Sequence, residues 1–264
     1  MSKPGIIVLG GTGLIGTAVC ECLARAGHAV VSVNSKNYAS CVGARADVLI
    51  NCNGNTFRYK ASQDPQWDFA ASVTTVEKSL FDFKVSRYFY ISTIDVYDRL
   101  DDPVYNHEDA AINLRRLHPY AFHKWLGERL VEQFAGQPLI LRTGTVLGPG
   151  VKKGPLFDLV QNEPLHMSPD SKLSLIDTAT IAEAIVGFVA APPPHRVINL
   201  TGTGSVKLRE PCAEVGLTWR LAPGAEQVEY HYHINNARLR ELFPVQTSHE
   251  MATRFLTNTL NKQI

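Results

Sequence analysis

The sequence predicts an α/β fold: a doubly wound, mostly parallel sheet with a small lobe formed late in the chain. Three observations predict it. Short apolar runs rich in Val and Ile recur along the chain, as strands buried on both faces of a parallel sheet require. Stretches with helical periodicity separate those runs, which is the alternation of a β-α-β architecture. A glycine-rich turn joins the first strand to the first helix, as happens where open α/β sheets bind ligands.

Taken in order, "IIVLG" (6–10) is the first strand and "LIGTAVCECLARAG" (14–27) the first helix. "AVVSVN" (29–34) follows as the second strand. Between Asn34 and Asp47 lie about a dozen residues, the minimum for a parallel crossover with its helix, so a loop or one helical turn is expected there. The usual unit has been trimmed. "DVLINCNG" (47–54) is the third strand, "FAASVTTVEKSLFDF" (69–83) a helix, and "RYFYIST" (87–93) the fourth strand. Pro119 suits the first position of a helix over "YAFHKWLGERLVEQF" (120–134). "PLILRTG" (138–144) and "RVINLTG" (196–202) supply two further strands. From Val151 the pattern becomes richer in proline and less regular, in "GPLFDLVQNEPLHMSPDSKLSLID" and "LTWRLAPGAEQVEYHYHI". Residues 1–150 are therefore read as the core, and 151–264 as a mixed region that completes the sheet and forms the lobe closing over a ligand.

Composition excludes several partners. With 26 Lys plus Arg against 25 Asp plus Glu, the net charge is +1, and no stretch concentrates the basic residues that a nucleic acid or an anionic membrane surface demands. The apolar start "GIIVLGGTGLIG" is too short and glycine-rich to span a bilayer, and it lacks the marks of a signal peptide. A soluble, cytoplasmic protein is the expectation. The five cysteines are odd in number and form no C-x-x-C pair, which reads as reduced, buried thiols rather than disulfides or zinc.

In "VLGGTGLIG", Gly10, Gly13 and Gly16 stand at the spacing G-x-x-G-x-x-G. Glycine is needed there because the turn is tight, the backbone must approach a pyrophosphate, and the helix packs hard on the strand. Backbone amides and the helix dipole then hold phosphate. The carboxylate that would grip the ribose of NAD is missing, since the second strand ends "VNSKN". Asn34, Ser35 and Lys36 would not repel a 2′-phosphate, and Lys36 would attract one. The preferred cofactor is therefore NADP, with NAD as the other candidate.

Tyr120 and Lys124 lie four residues apart and share one helix face. A neighbouring ammonium, together with a cationic nicotinamide, would lower the tyrosine from its ordinary value near 10. Tyr120 could then exchange a proton with a hydroxyl or carbonyl. Upstream, Ser92 and Thr93 end a strand with hydroxyls placed to hold the same substrate oxygen.

With these motifs in hand, the sequence resembles the extended branch of the short-chain dehydrogenase/reductases, the NAD(P)-dependent nucleotide-sugar epimerases, dehydratases and reductases. "VLGGTGLIG" resembles the family's cofactor loop, "FYISTIDVYD" its hydroxyl-bearing strand end and "YAFHKWLGE" its active-site helix. "LRTGTVLGPG" resembles the segment under the nicotinamide, "SLIDTATIAEAI" the stretch leading into a late helix, and "YHYHINNARLRELFP" the closing segment. The resemblance implies a Rossmann-type sheet with a C-terminal substrate lobe. It implies Tyr120 as general acid/base, Lys124 lowering its pKa and holding the nicotinamide ribose, and Thr93 aligning the substrate oxygen. Cofactor contacts fall to Gly10, Thr12, Gly13, Leu14, Ile15 and Gly16 in the loop, then to Asn34, Ser35 and Lys36, then to Asn53 and Gly54. Tyr120, Lys124 and Thr143 complete the set. Where the dehydratases carry an acidic pair after the threonine, this chain has Ile94 then Asp95, which weakens the dehydratase reading. A homodimer through "FAASVTTVEKSL" and "YAFHKWLGERL" is also implied.

The substrate is read as a small molecule, a sugar nucleotide or related keto or hydroxy compound, undergoing hydride transfer. An epimerase with retained cofactor and a non-catalytic NADP-binding regulator are the alternatives. Three further features stand outside these motifs. His231 and His233 in "HYH" would share one face of a strand, but no third metal ligand is evident. His123 is expected to pack or to face solvent. Arg58 and Lys60 could hold a diphosphate or simply be solvated.

Overall fold

The computed structural model describes residues 5–55 and 57–261. A six-stranded sheet forms the centre. Its strands are β1 (Gly5–Leu9), β2 (Ala29–Val33), β3 (Arg45–Asn51), β4 (Lys84–Thr93), β5 (Gln137–Thr143) and β6 (Val197–Leu200), in the order β2-β1-β3-β4-β5-β6. The pairs β1–β2, β1–β3 and β3–β4 are parallel. The fold is the doubly wound, Rossmann-type α/β architecture that the sequence predicts.

The continuous apolar runs have a direct physical cause. Consecutive residues of β1, from Ile6 to Leu9, are all buried although alternate side chains point to opposite faces. Both faces of that strand are therefore covered. Around it pack Leu49, Val76, Tyr88, Tyr90, Val131 and Ile140. By contrast β2 is an edge strand, and Val31 remains 48% exposed on it. The crossover from β2 to β3 contains only α2 (Tyr38–Cys41), a single helical turn, as the short spacing demanded.

Helix α1 (Leu14–Arg25) follows β1. The helix read from the sequence over 69–83 is longer and less regular in the structure. After the short α3 (Arg58–Gln63), α4 (Pro65–Phe69) starts from Asp64, whose carboxylate accepts the Trp67 N–H at 3.0 Å. A π-helical turn, Ala70–Thr74, then leads into α5 (Thr75–Asp82). Periodicity could not show this, because one added residue per turn only rotates the apolar stripe. Such turns are frequent at functional sites; Ser72 within this one is buried, as is Asp68 just before it in α4. The long α6 (Pro119–Phe134) begins where Pro119 predicts.

By spatial grouping, one unit comprises the residues up to Asp98, Ala111–Arg142 and Ala179–Ile198. Within it a buried ion pair ties β5 to α6: the Arg142 guanidinium donates to both Glu128 oxygens at 3.0 and 2.7 Å, and to the Tyr97 hydroxyl at 2.8 Å. Ser92 of β4 donates to the same carboxylate at 2.6 Å.

The other unit comprises Arg99–Ala110, Thr143–Thr178 and the chain from Asn199 onward. In it Thr145–Leu147 pairs in parallel with Leu175–Asp177, and Lys172–Leu173 pairs antiparallel with Val206–Lys207. The Asn199 side chain donates to the Asn106 and Asn235 carbonyls, which joins three distant segments. The last helix, Ser248–Leu260, opens with a capping box in which Thr247 and Glu250 satisfy each other's backbone N–H groups. The sequence placed His231 and His233 on a strand, and the structure corrects this. Residues 229–234 form no named strand, only an isolated bridge from Lys172 to His231, because the local hydrogen bonds run to the backbone of Lys172 and Leu100 rather than along a ladder. Among the described residues no group of His, Cys, Asp and Glu could hold a metal ion. No helix among them is long and apolar enough to cross a membrane.

Candidate active site

The glycine loop sits at the carboxyl end of β1. Gly10 has φ +70°, and a Cβ there would lie 2.7 Å from Asn53 Oδ1. At Gly16 a Cβ would lie 2.1 Å from the Gly10 carbonyl oxygen. Neither position admits a side chain. Helix α1 then begins at Gly13 in extended backbone with no side-chain cap, so no side chain of its own is committed to its first-turn amides. Thr12 and Gly13 at the tip are exposed, Leu14 and Ile15 half-buried and Gly16 buried. These residues fit the phosphates of a dinucleotide: the backbone is bare, the helix end is uncapped, and the dipole favours an anion.

At the end of β2, Asn34 spends its side-chain oxygen on the Lys36 backbone N–H at 2.9 Å, while its own N–H goes to Asn37 Oδ1 at 2.7 Å. Ser35 and Lys36 are exposed on this small turn. Beyond β3, the Asn53 N–H is held by Asn51 Oδ1 at 2.9 Å, and Gly54 adopts φ +143°. A Cβ on Gly54 would lie 3.5 Å from Lys124 Nζ. The chain thus brings Gly10, Asn53, Gly54 and Lys124 into one neighbourhood, although they are far apart in sequence.

Thr93 ends β4, and its side chain acts on the phenol of Tyr120, in the first turn of α6, pulling its pKa down. Thr93 is also fixed from behind, since its Oγ1 accepts the Asp95 N–H at 3.2 Å. Lys124, one turn along α6, is buried; its Nζ donates to the Ile91 carbonyl at 2.7 Å and stands 4.3 Å from the centre of the Tyr90 ring. Burial pulls this ammonium down to about 8, against the opposing pull of Glu128, Asp68 and Cys52.

The sequence reading has Lys124 and a cationic nicotinamide together lowering the Tyr120 pKa; in the protein alone the phenol is pushed up. Burial is the largest cause, Asp95 and Asp68 add to it, and Thr93 and Arg58 only partly oppose it. Tyr120 is consequently a neutral phenol, a proton donor held ready.

Other charged groups surround the pair. Asp68 is fully buried and accepts from Asn55 Nδ2 at 2.8 Å and Ser72 Oγ at 3.2 Å; its second oxygen lies 2.6 Å from His123 Nδ1. His123 thus packs, as expected, but also pairs with a carboxylate. Arg58 at the start of α3 forms an ion pair with Asp95 at 3.4 Å, and Lys60 stands over the Trp67 ring at 3.8 Å. His118 caps α6 and stacks on Tyr120. Sequence reasoning passed over Asp68 and His118; the histidine immediately before the helix-starting proline was the signal for the second. Thr143 is buried at the end of β5 and belongs to the second unit.

A family model described as "NAD dependent epimerase/dehydratase family" matches residues 6–159. Comparison with curated proteins by sequence finds no match. Among solved structures, MoeE5 in complex with UDP-glucuronic acid and NAD superposes with TM-score 0.80 at 18% identity, covering 98% of this chain and 100% of that one. UDP-glucuronic acid 4-epimerase from Bacillus cereus gives TM-score 0.75 at 17% identity, with 98% and 100% covered. dTDP-4-dehydrorhamnose reductase from Bacillus anthracis, in complex with NADP, gives 0.76 at 16% identity, with 98% and 99% covered. At such identities the likeness is one of fold. The family match spans more than half of the chain, from β1 through α6 into the second unit, and includes the glycine loop, Thr93, Tyr120 and Lys124; the chain belongs to the NAD-dependent epimerase/dehydratase family.

Proposed function

We propose that this protein reduces a keto group on a sugar nucleotide, with NADP(H) preferred over NAD(H), and that Tyr120 is its general acid. The observation that carries this reading is that α6 carries Tyr120 and, one turn on, buried Lys124, with Thr93 at the end of β4 acting on the phenol, whose pKa burial raises. A bound dinucleotide would supply the hydride. Tyr120 would deliver its proton to the substrate oxygen, and Thr93 would orient that oxygen. Lys124 would hold the nicotinamide ribose and, as a cation, favour the phenolate left after proton transfer. Gly10, Thr12, Gly13, Leu14, Ile15 and Gly16 would hold the pyrophosphate, with Asn53 and Gly54 beside it and Thr143 near the nicotinamide.

The nucleotide-sugar class is supported by the family and by the UDP-sugar and dehydrorhamnose proteins of the same fold. NADP is supported by the absence of a carboxylate at the end of β2 and by the exposed Lys36. The test is to quantify dinucleotide bound to the purified protein, then to follow reduced-cofactor absorbance as 4-keto sugar nucleotides are added. Stoichiometric oxidation supports reduction. Tightly held NAD, with inversion of a UDP-sugar and no net oxidation, would instead identify an epimerase.

A further inference from the structure

His118 caps α6: its Nδ1 accepts the Ala121 N–H at 3.5 Å. A ring nitrogen that accepts carries no proton, so in the neutral imidazole the proton sits on Nε2. Burial and the Arg58 charge lower the His118 pKa, against Asp95 and Asp68, which favours that neutral ring. The Nε2–H is buried and has no hydrogen-bond partner among the described residues. A buried donor left unpaired is a standing cost, which an acceptor arriving from outside can offset.

The ring's position says which acceptor. It lies nearly parallel to Tyr120, 8° apart in plane with centroids separated by 6.0 Å. Arg58, Asp95 and Asp68 act electrostatically on both rings, so the two residues share one charged environment. We propose that His118 is a second substrate-contacting residue, its Nε2–H donating to a hydroxyl, carbonyl or carboxylate oxygen next to the carbon that Tyr120 serves. This rests on the assignment of Tyr120 above.

Two variants separate the donor from the cap. His118→Asn keeps an acceptor where Nδ1 stands and deletes the Nε2 donor; His118→Gln places an amide near Nε2 and weakens the cap. Binding of UDP-glucuronic acid and of dTDP-4-dehydrorhamnose to the cofactor-loaded protein is measured by calorimetry. Ring-nitrogen NMR of the histidine-labelled chain provides a readout independent of turnover. The expected results are a Nε2–H tautomer in the free protein, a downfield shift of that proton when sugar nucleotide binds, and affinity weakened roughly 10- to 100-fold in His118→Asn at unchanged Tm. His118→Gln should keep most of the affinity while losing thermal stability. A proton on Nδ1, or wild-type affinity in His118→Asn, overturns the proposal for His118 alone. If neither sugar nucleotide binds the wild-type protein, the assignment of the substrate class falls with it.

Discussion

Asp68 and His123 form a buried pair, carboxylate oxygen to ring nitrogen at 2.6 Å, on the side of α6 that carries the candidate catalytic residues. The Asp68 charge acts on Lys124 and Tyr120 alike, raising both. Replacing it by Asn, which keeps an acceptor for His123, should lower both values together. The alkaline limb of dinucleotide binding, set by loss of the Lys124 charge near pH 8, should then move to lower pH. An unmoved limb in a binding titration across pH 6–10 would argue against this coupling.

Tyr120→Phe deletes one hydroxyl and leaves the glycine loop intact. Turnover should fall roughly 10²- to 10⁴-fold, the usual worth of a positioned acid, while dinucleotide affinity by calorimetry stays within about twofold. Retained turnover would remove Tyr120 from the mechanism.

Lys124 also has a signature in stability. Its folded value, about 8, lies below the ordinary lysine value of 10.5, so between these pH values the unfolded chain binds more protons. Stability should therefore rise with pH through that window, and the cost of the buried charge is fully present below it. Lys124→Met should abolish this rise and stabilise the protein at neutral pH by about 1–3 kcal/mol, after loss of the Ile91 hydrogen bond is subtracted. Urea midpoints for both proteins at pH 7 and pH 10 measure the difference.

Cofactor choice should depend on the turn after β2. NADP(H) is expected to bind more tightly than NAD(H), and Lys36→Ala to narrow the gap by about 1.5–3 kcal/mol, the worth of a hydrogen bond to a charged group. Equal affinities in the wild-type protein would contradict the preference.

The Glu128–Arg142 pair offers a separate check on packing. Glu128→Gln leaves a guanidinium 2% exposed without its counter-charge, and breaking such a pair costs about 3–5 kcal/mol. Glu128→Leu combined with Arg142→Met should recover most of that loss. Thermal unfolding of the three proteins distinguishes a buried pair from a surface contact.

Legibility in the sequence followed the range of the interactions involved. The strands of the sheet were readable because burial on both faces writes itself as an uninterrupted apolar run, as in Ile6 to Leu9. The glycine loop was readable because a steric demand, such as the 2.1 Å approach at Gly16, leaves few residue choices. The direction of the Tyr120 shift was not readable. It depends on how deeply the ring is buried and on Asp68, which is 52 positions away from Tyr120 in sequence but acts on it electrostatically. The π-helical turn at Ala70–Thr74 and the bridge at His231 escaped for a related reason: both are decided by backbone partners elsewhere, which local periodicity does not encode.

The single-turn crossover between β2 and β3 acts as a short tether. Only residues 34–44 connect the two strands, and fully extended they reach roughly 36–40 Å. The two strand ends it joins lie about 20 Å apart along the strands and, at right angles to that, about 10 Å apart across two strand spacings, because β1 lies between them, a direct separation of about 22 Å. With Tyr38–Cys41 coiled into a helical turn about 6 Å long, the connection reaches roughly 30 Å, so β2 has only a limited excursion from the sheet edge while α2 stays folded. Its amides should therefore exchange with solvent only modestly ahead of those of β3, and the reach of the turn carrying Asn34, Ser35 and Lys36 is set by whether α2 stays coiled.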